Sequence, residues 1–508
     1  MAIVVSHKGT DFEELSKAAL RQAALADLIE LRLDDLGDLS EERLAEFVQE
    51  CPKPVIAAVH GPEAFGSFTG SIDERLELLR MAARAGCRFV DVDWRLSLDL
   101  GEVGGKCHRI VSRHELDGTP EDLEAIHEEV RAVLYEGDVV KLVTHANSCE
   151  DGLRLLRYLR ECGKGLVAFC SGEKGSFTRV LAPILGSPFT YAAAARLHGK
   201  KESALTAPGQ LRVNDLHALV PPGGLSHETA VFGVVGKPVS HSWSPWVHGM
   251  ALKAAKLDAV YLAFEPDDIA EFLSLADDDC FRGFSITAPF KARALIQSRS
   301  SDSISERAEA ANTLVREKDG WRAFNTDVPA IRETLERAMQ MHSQEPGRPV
   351  ALAAATGLVL GTGGAAAAAC CALSEVGAKL IVAGRDLERA RSLASCYGGE
   401  GIAWDEIATC EHDLLIHCTP AGSLADPGVS PIPLEWIRPS TLVLDGVYRP
   451  VKTPLLVGAM ARGCTAVPGG EWFVRQAAQQ YKLFTTQEPD EELLRAAFRH
   501  ALDEDDVS

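Results

Sequence analysis

The sequence predicts an α/β protein that begins with a closed (β/α)8 barrel and continues with two further α/β units. Three observations predict it. The chain has 508 residues, enough for two to four domains. Short apolar runs alternate with helical-period stretches over the first two hundred residues. A glycine turn after residue 360 joins a strand-like run to a helix of small residues.

Eight strand candidates lie in the N-terminal part, most of them separated by amphipathic stretches. They cover residues 3–5, 28–33, 55–59, 89–92, 110–111, 139–143, 166–169 and 189–192. Alternation of strand and helix favours parallel pairing, and eight such units in this length are what a closed barrel requires. An open, doubly wound sheet is the alternative for this part of the chain.

The boundaries between the units are predicted from composition. The PPGG cluster at 221–224 predicts a linker over 216–230, so the first domain is expected over 1–215. A second αβ series begins at residue 231 and runs to 341. A polar break at 342–348 precedes the third unit, and residues 470–502 are again helical in pattern.

Charge and cysteine content exclude several classes of protein. The formal charge of −21 repels nucleic acid and anionic membrane surfaces. The thirteen cysteines form no C-x-x-C pair, so neither a disulfide framework nor a metal site is expected. The start MAIVVSHKGTDFEEL leaves no room for a signal or transit peptide, which predicts a cytoplasmic location. The uncharged run 350–373 is long enough to span a bilayer, but its four glycines favour a strand, a turn and a helix.

The first candidate site centres on Lys141, which lies inside the apolar strand GDVVKLVTH. Burial disfavours the charged ammonium, and a neutral lysine amine attacks ketones to form an imine that serves as an electron sink. A lysine at a strand end whose tip reaches solvent is the alternative. Glu30 and Arg32 alternate along one strand and therefore point to the same side, into the barrel if it closes.

Further polar residues extend this set. His114 follows the fifth predicted strand, where a neutral imidazole could shuttle a proton, although a lone loop histidine is more often simply exposed. Arg179 and the TAPGQ turn, with Thr206 and Gln210, add a cation and short polar donors. Together these residues describe a pocket for a polyhydroxylated keto acid.

Residues 1 to about 212 resemble type I 3-dehydroquinate dehydratases in ELRLD, the S-x-H at 112–114, the strand lysine, the segments 176–179 and 186–187, and TAPGQ. That family folds as a TIM barrel. The resemblance implies that Lys141 forms a Schiff base with the substrate ketone and that His114 is the general acid/base. It further implies a set that holds the hydroxyls and the carboxylate: Glu30, Arg32, Arg179, Thr206 and Gln210.

Two departures from that family's pattern concern the third strand and the loop after it. His60 stands where the family usually has an arginine, and the loop GPEAFGSFTGS replaces one that normally offers Glu-Gly-Gly. An imidazole can donate a hydrogen bond but cannot supply a permanent bidentate fork. We therefore expect an altered lid and one substrate cation fewer.

A second candidate site lies after residue 231. SHSWSP places Ser242 and Ser244 on a turn before a helix expected to begin at Pro245, where a carboxylate could dock. Lys291 in SITAPFKAR and Asp327 in FNTD follow. An acid and a lysine within hydrogen-bond reach can relay a proton to a carbonyl that becomes an alcohol, with separate surface positions as the alternative.

The third unit reads LVLGTGGAAAAACCALSEVGAKLIVAGRDLERA. Strand, G-x-G-G turn, helix and second strand are typical of a Rossmann dinucleotide site. Arg385 and Arg389 follow the second strand, where an acidic residue would accept the ribose hydroxyls of NAD. Two guanidiniums favour a 2′-phosphate, so NADP is expected, although Asp386 weakens that preference.

Residues 231–505 resemble shikimate dehydrogenases in GKPVSHSWSP, T-x-P-x-K at 287–291, ANT, NTD, GTGGAAAA, GVYRPVKTPLL and PGGEWFVRQA. The resemblance implies an α/β substrate-binding domain over 231–341, completed by helices 470–505, and a Rossmann NADP-binding domain over 342–469. Lys291 and Asp327 would form the catalytic pair. The implied substrate ligands are Ser242, Ser244, Thr287, Asn312, Tyr448 and Gln476, and the implied NADP ligands are Gly361, Gly363, Gly364, Arg385 and Arg389. One departure is the segment HCTP at 417–420, where the family commonly has an Asn-x-Thr-Ser type segment.

The two resemblances together imply a bifunctional enzyme of the shikimate pathway. It would dehydrate 3-dehydroquinate to 3-dehydroshikimate and reduce the latter to shikimate with NADPH, with these small molecules and no nucleic acid or membrane as partners. Two alternatives are a quinate dehydrogenase with a weakened barrel and a metabolite-sensing regulator built on inactive domains. The regulator predicts lost catalytic residues, yet Lys141, His114, Lys291 and Asp327 are all present.

Overall fold

The computed structural model describes residues 2–37, 39–163, 165–196, 205–239, 241–342 and 351–505. The chain folds into two compact units, of which the first comprises Met1–Val231 and Lys256–Phe281 and the second Phe232–Ala255 and Arg282–Ser508. Except for residue 342, the predicted polar break at 342–348 lies outside the described residues.

Eight parallel strands form a nearly closed barrel in the first unit. In chain order they are β1 (Ala2–Lys8), β2 (Leu28–Arg32), β3 (Val55–Ala58), β4 (Phe89–Asp93), β5 (His108–Glu115), β6 (Val139–His145), β7 (Leu166–Ser171) and β8 (Phe189–Ala193). The sheet order is β7-β6-β5-β4-β3-β2-β1-β8, and β7 also contacts β8. The predicted barrel is therefore confirmed, and the open-sheet alternative is wrong.

Helices follow the strands as a barrel requires. They are α1 (Phe12–Gln22), α2 (Glu41–Glu50), α3 (Ile72–Arg84), α4 (Ser97–Leu100), α5 (Leu123–Arg131), α6 (Cys149–Cys162), α7 (Thr178–Ile184) and α8 (Val213–Leu219). Side-chain caps mark several of their starts, such as the reciprocal Ser71–Glu74 capping box at α3. The chain continues through β9 (Ala230–Val235), α9 (Ser244–Ala254), β10 (Ala259–Phe264) and α10 (Ile269–Leu275), of which β10 and α10 belong to the first unit.

The second unit contains a mixed sheet with the order β9-β11-β13-β14-β12, in which β13 runs antiparallel to β11 and β14. Its elements are β11 (Phe281–Ile286), α11 (Lys291–Gln297), β12 (Ser300–Ser301), α12 (Ser303–Ala308), β13 (Thr313–Glu317), β14 (Gly320–Phe324) and α13 (Asp327–His342). Helix α9 begins at Ser244, one residue before the predicted start.

A parallel six-stranded sheet completes the second unit, in the order β17-β16-β15-β18-β19-β20. Its elements are β15 (Thr356–Leu360), α14 (Gly364–Glu375), β16 (Lys379–Ala383), α15 (Leu387–Cys396), β17 (Glu400–Ile402), β18 (Leu414–His417), β19 (Leu442–Asp445), α16 (Pro454–Ala461) and β20 (Thr465–Val467), followed by α17 (Gly469–Thr485) and α18 (Glu491–Asp505). Apolar cores cover both faces of the sheet. The strand order reverses between β15 and β18, which is the point where doubly wound sheets bind ligands.

Three expectations from composition can be compared with the fold. Residues 356–373 of the uncharged run form β15, the glycine turn and most of α14, as predicted. Among the described residues, no helix combines the length and the hydropathy needed to cross a membrane. All thirteen cysteines are free thiols, and no group of acidic, histidine and cysteine side chains in the described part of the chain is arranged to hold a metal ion.

Candidate active sites

Polar side chains lie on the inner face of several barrel strands, towards their carboxyl ends. Residues two apart share a face, and Leu28 belongs to the apolar cluster inside the barrel. Glu30 and Arg32 therefore follow it on the inner face, towards the carboxyl end of β2. In β6, Lys141 takes the same inward position between Val139 and Val143. The polar residues thus collect at the end where (β/α)8 barrels hold their active sites.

A cavity at this end of the barrel brings together every residue predicted for the first site. Its lining includes Glu30, Arg32, His114, Lys141, Arg179, Thr206 and Gln210, together with His60, Phe65 and Tyr191. The residues come from strands, loops and a helix that are distant in sequence.

Lys141 is 4% exposed, so the alternative of a lysine whose tip reaches solvent is wrong. Its Nζ donates to Oδ2 of Asp91 at 2.5 Å and lies 4.7 Å from the centre of the Tyr191 ring. Asp91 is fully buried on β4, and its Oδ1 has no hydrogen-bond partner among the described residues. Lysine and aspartate are thus arranged for proton exchange inside the barrel. Sequence reasoning missed Asp91, although a carboxylate within the apolar strand FVDVD was a signal.

Two imidazoles face the lysine. The prediction that His114 follows the fifth strand is wrong, because β5 extends through Glu115 and His114 lies within it. The rings of His114 and His60 meet edge to face, 5.4 Å apart. Burial holds the pKa of each well below its usual value, and the positive charges of Lys141 and Arg32 lower it further. Both imidazoles are therefore neutral at pH 7.

The two arginines of the cavity differ in whether a carboxylate neutralises their positive charge. Arg32 Nη2 forms a buried ion pair with Asp34 Oδ2 at 2.6 Å. Arg179 is 1% exposed, lies 4.3 Å over the Phe169 ring and has no carboxylate partner among the described residues. Burial lowers the pKa of its guanidinium to about 10, so it remains charged at pH 7. A buried cation without a counter-ion is suited to an anionic ligand.

Hydroxyl and carboxyl groups complete the lining. Glu30 accepts a hydrogen bond from Ser6 Oγ at 2.5 Å, and burial raises the pKa of its carboxyl. Thr206 Oγ1 donates to Gln210 Oε1 at 2.6 Å, and Arg32 Nη1 approaches the Thr206 carbonyl at 3.4 Å. These groups offer donors and acceptors in the range that a polyhydroxylated ring needs.

The second unit holds another lysine–carboxylate pair. Lys291 is the first residue of α11 and Asp327 the first of α13, and Nζ donates to Oδ2 at 2.7 Å. The alternative of separate surface positions is therefore wrong. The indole Nε1 of Trp472 donates to the other carboxylate oxygen at 2.9 Å, and the Asn325 carboxamide accepts from the Asp327 N–H at 3.0 Å. Asp327 is thus fixed from three sides, and sequence reasoning missed the part of Trp472.

Four of the six residues predicted to bind substrate in this half form hydrogen bonds with nearby residues: Ser242, Ser244, Asn312 and Tyr448. Asn312 Oδ1 accepts from the Thr326 N–H at 2.8 Å, which joins it to the NTD segment. The Ser244 N–H donates to Ser242 Oγ at 3.2 Å, and Ser242 hydrogen-bonds Tyr448.

Helix α17 and the turn before α11 hold the remaining two. Gln476 and Trp472 lie on α17, and the Gln476 amide donates to the Phe473 carbonyl at 3.1 Å. Thr287 donates its N–H to the Val235 carbonyl at 2.9 Å, in the turn that leads to Lys291.

The glycine turn lies beside Lys291. Gly361 adopts φ +120°, which favours glycine, and a Cβ there would meet the Cys418 carbonyl at 3.2 Å. Gly363 caps α14 without any side-chain hydrogen bond, so the first N–H groups of this helix are available to an anion. A Cβ on Gly364 would lie 3.2 Å from Cδ of Lys291. The turn therefore fits a pyrophosphate placed next to the lysine.

The end of β16 carries two available cations. Arg385 and Arg389 are exposed, and neither forms an ion pair with any residue that the structure describes. Asp386 is the N-cap of α15, where its carboxylate accepts from the Arg389 N–H at 3.1 Å. The Asp386 carboxylate, which weakened the prediction of NADP, thus caps helix α15. The turn and the two guanidiniums fit NADP.

Comparison with known proteins agrees with this geometry. The sequence model of the type I 3-dehydroquinase family matches residues 3–221. The sequence model of the shikimate dehydrogenase substrate binding domain matches residues 234–314. The bifunctional 3-dehydroquinate dehydratase/shikimate dehydrogenase of Arabidopsis thaliana, a chloroplastic protein, is 32% identical over 477 residues, covering 91% of this chain and 78% of the relative. The chain belongs to this bifunctional family.

Other relatives cover the bifunctional chain wholly or in part. The shikimate biosynthesis protein AroDE of Chlamydia pneumoniae is 26% identical over 482 residues, covering 94% of each chain. The crystal structure of shikimate 5-dehydrogenase from Thermus thermophilus, in complex with NADP(H) and shikimate, is 32% identical and covers 54% of this chain and 100% of its own, with a TM-score of 0.48.

The loop after β3 is where this member of the bifunctional family departs from the dehydratase pattern. Ala64 and Phe65 of the loop line the cavity beside His60. Arg75 on α3 donates to the Val59 carbonyl at 2.8 Å and forms an ion pair with Glu63 at 2.6 Å. The loop is thus fastened to a neighbouring helix through a cation that sequence reasoning did not single out.

Proposed function

We propose that this chain dehydrates 3-dehydroquinate to 3-dehydroshikimate in its barrel and reduces 3-dehydroshikimate to shikimate with NADPH in its second half. One observation supports the proposal most strongly: each half has a lysine amine hydrogen-bonded to a carboxylate at the position where its fold binds ligands. The proposed domain limits are 1–215 for the dehydratase, 216–230 for the linker and 231–505 for the dehydrogenase. Within the dehydrogenase, 342–469 would bind NADP. We also propose a cytoplasmic location, which the free cysteines support.

The proposed dehydration begins at Lys141. Asp91 accepts a proton from the ammonium, and the free amine attacks the substrate ketone. Loss of the ketone oxygen as water leaves a protonated imine. His114 then removes a proton from the carbon next to the imine, and the electron pair moves to the imine nitrogen to give an enamine. The same imidazole returns the proton to the departing hydroxyl, which leaves as water. Hydrolysis of the imine consumes one water and releases the product and Lys141, so the net loss is one water.

Other residues of the barrel would hold the substrate. Arg179 is proposed to bind the carboxylate, because it is a buried cation without a counter-ion among the described residues. Hydroxyl groups would be bound by the remaining polar residues of the cavity: Glu30, Arg32, Thr206 and Gln210.

The proposed reduction takes place at Lys291 and Asp327. When bound, NADPH supplies the hydride that the carbonyl carbon receives. Lys291 would donate a proton to the carbonyl oxygen, Asp327 would stabilise the ammonium before transfer, and water would return a proton to the Lys291 amine afterwards. The substrate would be held by Ser242, Ser244, Thr287, Asn312, Tyr448 and Gln476. Gly361, Gly363 and Gly364 would bind the pyrophosphate, and Arg385 and Arg389 the 2′-phosphate.

The experiment that tests the proposed function supplies each substrate separately to the purified chain. Conversion of 3-dehydroquinate without nucleotide, and oxidation of NADPH only when 3-dehydroshikimate is added, are the expected results. Absence of either reaction would contradict the corresponding half of the proposal.

Selectivity for NADPH is expected to depend on Arg385. Replacing it with alanine removes a charge-assisted hydrogen bond to the 2′-phosphate, so KM for NADPH should rise about ten- to hundred-fold. KM for NADH, which lacks that phosphate, should change less than about three-fold. Arg391→Ala is the matched control, because Arg391 lies on the helix that follows Arg385 but is paired with Glu388. Equal changes for both nucleotides in Arg385→Ala would contradict the assignment.

The pH dependence of dehydration is expected to reflect the environment of His114. Burial and then the charges of Lys141, Arg32 and Arg75 lower its pKa well below 6.5, so the neutral base persists as the pH falls through that value. The acidic limb of the dehydratase kcat/KM should therefore lie clearly below pH 6.5. Arg75→Gln removes one positive charge and should move the limb upwards, whereas Arg84→Gln, an exposed change on the same helix, should not. A limb at pH 6.5 or above in the wild type would contradict this environment.

A further inference from the structure

A buried histidine–aspartate pair lies at the carboxyl ends of β18 and β19, outside the proposed catalytic pair. His417 and Asp445 are both 0% exposed. The imidazole Nδ1 lies 2.8 Å from Asp445 Oδ1, and Nε2 lies 2.6 Å from Thr419 Oγ1. The second carboxylate oxygen accepts from Thr453 Oγ1 at 2.6 Å. Four side chains thus form one hydrogen-bonded chain in the interior.

The orientation of His417 is determined by its partners. A carboxylate only accepts hydrogen bonds, so Nδ1 is the donor and the ring cannot flip without losing that bond. Asp445 Oδ1 also accepts from the Val447 N–H at 2.9 Å, and the Gly446 N–H donates to the His417 carbonyl at 2.8 Å. With both strand ends joined in this way, Nε2 is directed at the Thr419 hydroxyl.

The segment that His417 holds lies against the glycine turn. A Cβ on Gly361 would meet the Cys418 carbonyl at 3.2 Å and Cγ2 of Thr419 at 3.3 Å. The Cys418 N–H donates to the Leu360 carbonyl at 2.9 Å, which joins the segment to β15. The Cys418 thiol also lies close enough to Lys291 and Asp327 to interact electrostatically with both. Cys418 and Thr419 therefore lie against the glycine turn, and Cys418 is also near the Lys291–Asp327 pair.

The same strand end contacts the residue that orients Asp327. A Cβ on Gly446 would lie 3.0 Å from Cζ3 of Trp472, whose indole N–H donates to the Asp327 carboxylate. The position of the Gly446 backbone, which is bonded to the His417 carbonyl, thus limits where the indole can lie.

We propose that His417 is a positioning residue of the dehydrogenase: with Asp445 it fixes Thr419 and Cys418 against Gly361, and so sets the place of the nicotinamide end of NADPH relative to Lys291. The inference rests on the proposed function, because it presumes that the glycine turn binds NADPH. An asparagine amide at this position could also donate to Asp445. The histidine is longer and reaches Thr419 as well.

The test compares two nucleotides that share one end. His417→Leu removes both hydrogen bonds at similar volume, and Thr419→Val removes only the hydroxyl at the far end of the chain. Each variant should weaken NADPH binding, measured by nucleotide fluorescence, about ten-fold. Binding of 2′,5′-ADP, which lacks the nicotinamide half, should change less than about two-fold because Arg385 and Arg389 are untouched. His417→Asn, which can still donate to Asp445, should restore most of the NADPH affinity.

The double variant His417→Leu/Thr419→Val adds a second measurement. If His417 acts through the Thr419 hydroxyl, the double variant should bind NADPH no more weakly than His417→Leu alone. A parallel loss of NADPH and 2′,5′-ADP binding would show a merely structural role and overturn the proposal, as would unchanged NADPH binding in His417→Leu. A wild-type chain that bound neither nucleotide would overturn the proposed function, and with it this inference.

Discussion

Lys141→Met is expected to abolish dehydration of 3-dehydroquinate while leaving the reduction of 3-dehydroshikimate at its wild-type rate. Methionine has a similar length but no nitrogen, so no imine can form, and loss of a covalent nucleophile lowers kcat by about 10⁴-fold or more. The two rates are measured on the same preparation, which makes the dehydrogenase the internal control. Retained dehydration would contradict the assignment of Lys141.

A folding defect must be separated from a chemical one at this position. Removing Lys141 leaves Asp91 buried without its partner, and breaking a buried ion pair costs about 3–5 kcal/mol of stability. Lys141→Arg keeps a cation for Asp91 but has no imine-forming amine, so it should be equally inactive with a smaller loss of thermal stability. Borohydride reduction in the presence of 3-dehydroquinate should add mass to Lys141 in the wild type. The adduct should persist in Lys174→Ala, which changes an exposed lysine of the same unit.

Lys291→Met is expected to stop the oxidation of NADPH by 3-dehydroshikimate, with a fall in kcat of about 10²- to 10⁴-fold, while dehydration continues. The variant has no group to donate a proton to the carbonyl oxygen, although Trp472 still holds Asp327. NADPH affinity should stay within a few-fold, which shows that the second unit is folded. An equal loss of both activities would show that the division of labour between the two halves is wrong.

The inward-facing residues of the barrel could be predicted because strand periodicity is local. Glu30 and Arg32 are two apart on one strand, so their shared face follows from the sequence. Lys141 was identifiable because a charge interrupts an apolar strand. The exact end of β5 was not predictable, because SRHE is polar and resembles a loop, whereas in the fold it continues the strand and His114 lines the polar end of the cavity.

The contacts of Lys141 with Asp91 and of Asp327 with Trp472 could not be predicted in the same way. Asp91 is 50 residues from Lys141, and Trp472 is 145 residues from Asp327. Periodicity gives the face of each strand but neither the order of strands nor the helix that covers a site, and these contacts depend on both.

The cap formed by Asp386 is a different case. Its carboxylate precedes a helix by one residue, so the N-cap pattern was present but the cofactor interpretation took precedence.

NADPH oxidation by the wild-type chain supplied only with 3-dehydroquinate tests most directly whether one chain carries out two successive reactions. One NADPH should be consumed for each 3-dehydroquinate, and shikimate should accumulate. Neither Lys141→Met nor Lys291→Met alone should oxidise NADPH when only 3-dehydroquinate is supplied. A mixture of the two variants should restore this oxidation. Oxidation of NADPH with 3-dehydroquinate by Lys141→Met alone, or no oxidation by the wild type, would show that the two reactions are not linked through Lys141 and Lys291 in this chain.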